Sequence, residues 1–137
     1  MILQTLMIPI FDDLLAYCLS KPGSYEDHPF GLDSTVIKVK APSQLKGRIF
    51  AQLFYLKGEP KLTVNCDMLT GEYYRATYPG VVVRGYHCPP VQQPYFNTVS
   101  LDGSLPDDEI KLMIDQAYAV VVAKLPKKNQ RELISMG

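Results

Sequence analysis

Between residues 35 and 66 the hydrophobic pattern repeats every two residues, while on both flanks it repeats at helical spacing. Thr35, Ile37 and Val39 alternate with Val36, Lys38 and Lys40. Ile49, Ala51, Leu53 and Tyr55 alternate with Arg48, Phe50, Gln52 and Phe54, and Leu62, Val64 and Cys66 with Lys61, Thr63 and Asn65. A period of two puts one set of side chains on each face of a strand, so these runs predict three half-buried strands over 35–40, 48–55 and 61–66. "APSQLKG" joins the first two, and the turn Lys57-Gly58-Glu59-Pro60 joins the second pair. A sheet with one apolar face needs a layer to cover it.

The flanks supply that layer. Phe11, Leu14, Leu15, Cys18 and Leu19 predict an amphipathic helix over 9–20, opened by Pro9 and the acidic pair Asp12–Asp13 and ended by Lys21-Pro22-Gly23. Asp67 is a plausible N-cap for a short helix over 68–77, although Gly71 within it is a poor helix former. Two more strands are predicted at 82–87 and 96–101, separated by the Pro-rich "CPPVQQP". Ile110, Met113, Ile114, Ala117 and Val121 form one stripe of a helix over 106–125, with Ser104 and Asp107 resembling a capping box and Pro106 in the first turn. Pro126 stops it, and 127–134 predicts a short terminal helix. The predicted fold class is α+β: a single domain over residues 1–137, its antiparallel β-sheet carrying helices packed on one face.

Composition excludes several function classes. Fourteen basic residues balance fourteen acidic ones, so no bulk field draws the chain to nucleic acid or to a membrane. Cys18, Cys66 and Cys88 are odd in number and scattered, which argues against a disulfide framework and for a reducing, cytoplasmic setting. The apolar start "MILQTLMIPI" lacks a basic region before it and runs into Asp12 and Asp13, unlike a signal peptide. No stretch is long enough to span a bilayer.

Three polar clusters invite a chemical reading. Glu26, Asp27 and His28 sit together in "KPGSYEDHPFG", where Pro and Gly fix the backbone; the reading is a shaped loop between the first helix and the first strand, because metal ligands normally come from several elements. His87-Cys88 lacks any CxxC, HxxxH or HExxH companion, so no metal set and no catalytic residue is assigned. Asp102, Asp107, Asp108 and Glu109 cluster at the start of the last long helix, where acidic side chains meet the positive end of the helix dipole. No Walker A, GxGxxG or GxSxG pattern occurs, and the chain is read as a non-enzyme with no cofactor.

The remaining feature is local charge. Residues 34–65 hold Lys38, Lys40, Lys46, Arg48, Lys57 and Lys61 against Glu59 alone. Strand parity puts Lys38, Lys40, Arg48 and Lys61 on the face away from the core, together with Phe50 and Phe54. Basic side chains interleaved with aromatics can hold phosphates and stack bases. The competing reading is a solvated face whose phenylalanines pack against a tail, a protein partner or a second copy.

"KPGSYEDHPFG", "GRIFA" (47–51), "NCD" (65–67), "YPGVVVRGYH" (78–87) and "NTVSLDGSLPDDEIKLMIDQAY" (97–118) together resemble the MmcQ/YjbR family over about residues 10–134. The resemblance implies a fold similar to frataxin and CyaY, and a double-wing DNA-binding role. One departure bears on that role. After Gly85-Tyr86-His87 the family carries a short basic loop and then a Trp; here "CPPVQQPY" has no Lys or Arg, and Phe96 takes the Trp position.

Overall fold

In the computed structural model, residues 2–31, 33–86 and 88–137 are described, with side chains from residue 11 onward. Helix α1 (Ile2–Leu19) leads into strands β1 (Ser24–Asp27), β2 (Ser34–Val39), β3 (Arg48–Leu56) and β4 (Glu59–Asn65). Helix α2 (Met68–Thr77), β5 (Val82–Arg84), a 3-10 turn (Gln93–Tyr95) and β6 (Phe96–Ser100) follow, then α3 (Asp107–Ala123) and α4 (Lys127–Met136). The six strands form one sheet in the order β1-β2-β3-β4-β6-β5, with every neighbouring pair antiparallel. This is the α+β architecture that the change of period predicts.

The helices cover one face. Leu14 and Cys18 of α1, Ile110, Met113, Ile114 and Ala117 of α3, and Leu133 of α4 are buried with Ile37, Leu53, Leu62, Val64 and Val99 of the sheet in one core. Polar contacts align the helical layer: the Tyr17 hydroxyl donates to Asp115 at 2.6 Å, and the Tyr118 hydroxyl donates to the Pro22 carbonyl at 2.6 Å. Lys21 also donates to Asp115. Asp67 caps α2 by accepting the Thr70 N–H at 2.9 Å.

Four local expectations need correction. Pro9 does not open α1, whose backbone is helical from Ile2. Residues 24–27 are not loop but an edge strand, held by the backbone ladder to β2 rather than by apolar alternation. Pro106 is the N-cap residue of α3, with no side-chain cap bond, so the Ser104–Asp107 box does not form. Instead Asp102 accepts the Ser104 N–H at 2.9 Å in the preceding turn. Finally, Glu59 and Pro60 belong to β4, and the hairpin turns on Lys57 (φ 52°) and Gly58 (φ 80°) alone. Positive φ at both central residues suits the twist of a two-residue hairpin.

Candidate ligand groove on the open sheet face

The face away from the helices is built by cross-strand pairs. Ser34 pairs with Phe54, Val36 with Gln52 and Lys38 with Ile49; Lys61 then pairs with Phe54 and Ser100, and Thr63 with Gln52 and Thr98. Two clusters flank this face, Phe30 with Asp33 and Ser34, and Tyr86 with Cys88, Pro89 and Gln92. Between them lies a groove of about 600 Å³, with Gln52, Phe54 and Thr63 on its floor and Phe30, Tyr86 and Pro89 on its sides. No Lys or Arg lines it among the described residues.

A β-bulge decides which side chains reach that groove. The register between β2 and β3 slips between Ile37 and Lys38: Ile37 faces Ala51, while Lys38 faces Ile49. Phe50 is therefore the extra residue, and strand parity inverts on either side of it. Phe50 is fully buried and packs edge-to-face on Tyr118 of α3, at 5.4 Å between ring centroids. It is on the helix side, not on the open face where simple alternation puts it. Arg48 turns over with it and lies beside Val121 and Lys124 of the α3 end. Ile49 takes the vacated direction and lines the open groove, 37% exposed.

Phe54 does point to the open face, yet only 7% of it is exposed. The Tyr86 ring stacks over it at 6.4 Å and 18°. Neither phenylalanine is therefore an open stacking platform for bases. The lysines are also engaged. Lys38 pairs with Asp27 at 2.8 Å, and that hydrogen bond raises the lysine pKa and lowers the carboxyl pKa. Lys40 donates to the Gln44 carbonyl at 2.8 Å. Lys61 donates to Ser100 Oγ at 2.8 Å and sits 3.7 Å from Glu59. Of the six side chains, the structure brings Lys38 and Arg48 to one shallow groove with Lys124, sets Lys61 opposite Phe54 across β3 and β4, engages Lys40 with Gln44 and turns Phe50 onto Tyr118.

The floor of the main groove is polar but neutral. Gln52 Nε2 donates to Ser34 Oγ at 2.7 Å. The Tyr86 N–H donates to Thr98 Oγ1 at 2.8 Å, and the Thr98 and Thr63 hydroxyls share a hydrogen bond of 2.8 Å. Sequence alternation puts Gln52 and Thr63 on the right face; it gives no sign that two loops would wall them in. Cys88 lines the same groove, and burial raises its pKa. His87 lies outside the described residues.

The other polar clusters have structural partners. His28 Nε2 lies 3.2 Å from Glu26, and the His28 N–H donates to Asp27 at 2.8 Å. Asp13 and Asp107 each pair with Lys111 at 3.4 Å, and Glu109 accepts the Tyr74 hydroxyl at 3.3 Å. Among the described residues no group of three or more His, Cys, Asp or Glu side chains could hold a metal ion. No helix among them is long and apolar enough to cross a membrane.

An open antiparallel sheet with helices on one face and a walled groove on the other defines a class of small α+β domain. The sequence model of the YjbR family matches residues 19–120, and the chain belongs to that family. It is 27% identical to the uncharacterized protein YjbR of Escherichia coli K12 over 124 residues, covering 90% of this chain and 97% of that one. Among solved structures it is similar to a Deinococcus radiodurans protein with a DUF419 domain, at TM-score 0.78 and 30% identity over 89% of this chain and 86% of that one. A Pseudomonas syringae protein shares the fold at TM-score 0.63 and 17% identity, over 80% and 97% of the two chains.

Proposed function

We propose that this protein works by binding rather than by catalysis, and that its ligand site is the groove on the open sheet face. One observation carries the reading: a concave surface of about 600 Å³, mostly apolar with one carboxylate (Asp33) at its sides and neutral at its floor, is of the size and character of small-molecule sites. Among the described lining residues, Asp33 and Cys88 are the groups closest to a general base or nucleophile. The Cys88 thiol is pushed up by burial, which is unfavourable for a nucleophile. Cys88 also supplies the test. Millimolar toluene or phenol should slow the alkylation of Cys88 by iodoacetamide without affecting the unfolded chain. Failure of every neutral aromatic probe to protect Cys88 contradicts the reading.

A second reading, weak and largely non-specific binding of duplex DNA, is favoured by a different surface. Lys38, Arg48 and Lys124 line a shallow groove of about 380 Å³ where β2, β3 and β4 end beside the end of α3. Lys46, Lys127 and Lys128 are exposed nearby in sequence. Such a patch would hold phosphates and not read bases, with affinity falling by about 0.9 log units per log unit of salt for each contact. Anisotropy of a labelled duplex at two salt concentrations tests it. Arg48→Glu with Lys124→Glu should abolish binding, and an unchanged affinity would remove this groove from consideration.

A further inference from the structure

We infer that the open-face groove selects a neutral planar ligand bearing a carboxamide-like edge, one carbonyl beside one N–H, and that Gln52 is the residue that reads it. This rests on the groove being a ligand site, and it adds the chemistry of the ligand.

Gln52 stands at the middle of β3, between Val36 of β2 and Thr63 of β4. Its side chain lies on the groove floor and is half-buried. A primary amide offers two N–H donors and one carbonyl acceptor. One donor is spent on Ser34 Oγ at 2.7 Å, which fixes the amide in place. That leaves one N–H and the carbonyl, and no other described residue takes either of them. Half-buried polar groups of this kind favour a ligand that satisfies both, because a ligand lacking the match leaves them desolvated and unpaired.

Electrostatics narrows the class. The groove contains the Asp33 carboxylate and no Lys or Arg among the described residues. Among the described residues an anionic ligand would meet a like charge and no Lys or Arg counterion, which disfavours phosphates and carboxylates. Aromatic and aliphatic sides at Phe30, Ile49 and Tyr86 favour a flat, apolar body. A lactam, an aromatic amide or a free heterocycle with an amide edge meets all three conditions.

The test uses benzamide, benzoate, benzamidine and toluene, four probes of nearly one shape, titrated into the full chain and followed by protection of Cys88. Benzamide should bind about tenfold more tightly than toluene or benzoate, the factor that roughly one net hydrogen bond supplies. Gln52→Leu should remove that preference while leaving toluene binding in place. Gln52→Glu should transfer the preference to benzamidine, and unchanged cooperative melting of each variant verifies the fold. Equal affinity for benzamide and toluene, or a benzamide preference that survives both substitutions, overturns the inference and leaves the groove a site of other specificity. Absence of binding by all four probes overturns both this inference and the groove reading.

Discussion

Across the edge of the sheet, the Lys38 ammonium lies 2.8 Å from the Asp27 carboxylate. The two residues are diagonal neighbours on the β1–β2 pair, where Tyr25 faces Lys38 and Asp27 faces Val36. A lysine that sequence alone offers as a phosphate contact therefore carries its own counterion. The Lys38 hydrogen bond is the largest cause of the lowered Asp27 pKa, and the His28 N–H adds to it. A carboxyl depressed in the folded state stabilises at pH above its unfolded value, and that contribution is lost as pH falls through the folded value. NMR titration should find Asp27 below 3.8, its ordinary value. Lys38→Met should move it back towards that value, and an unmoved Asp27 would show that the pair does not form in solution.

The bulge at Phe50 makes a prediction opposite to simple alternation. Phe50 and Ile114 are both fully buried in the structure. Phe50→Ala should cost about 3–5 kcal/mol and Ile114→Ala about 2–5 kcal/mol, as large-to-small changes in cores do. Urea unfolding measures both. A cost below about 0.5 kcal/mol for Phe50→Ala, the surface range, would return Phe50 to the solvent face.

Gly71 lies inside α2 for a packing reason. A Cβ there would stand 2.8 Å from Cys66 Sγ and 3.3 Å from the Pro94 carbonyl, and the Gly71 carbonyl accepts the buried Asn97 amide at 3.3 Å. Ala gains about 1 kcal/mol of helix propensity over Gly, while overpacking costs about 1–3 kcal/mol. Gly71→Ala should therefore lower the melting temperature. A rise would mean that Cys66 yields without strain.

These cases mark what local sequence could and could not convey. The three central strands and the stripe of α3 are legible because their apolar residues recur at a fixed spacing in the sequence, and α2 because Asp67 marks its N-cap. Strand β1 is not, since Ser24–Asp27 carries no apolar alternation and is held by its backbone ladder. A bulge inserts one residue without a composition mark, so the directions of Arg48 and Phe50 inverted unseen. Gln52 could be placed on a face but not in a groove, because the walls come from Phe30, Asp33, Tyr86, Cys88 and Pro89, far from it in sequence. A polar residue between Ala51 and Leu53 was the one available signal.

The three thiols should separate by burial. Burial pushes Cys18 up to about 12 and Cys66 up to about 11. Cys88 is only half-buried. Iodoacetamide at pH 8 should label Cys88 first, with Cys18 and Cys66 reacting only after unfolding. A thiol raised in the folded state keeps a proton that the unfolded chain loses, so stability should decline as pH rises from 9.0 towards about 11. Peptide mass spectrometry reads the labelling order, and early labelling of Cys66 would contradict the packing around α2.

Ligand entry on the open face fixes which backbone amides respond to a ligand. Backbone amide chemical-shift mapping of the full chain during a benzamide titration tests it most directly. The largest changes should fall on Gln52, Thr63, Tyr86 and Cys88, the residues that line the groove. Arg48 and Lys124 in the shallow groove at the strand ends and Ile114 inside the helical layer should stay still. Changes centred on that shallow groove or on α3, or no saturable change at millimolar benzamide, would contradict ligand entry on the open face.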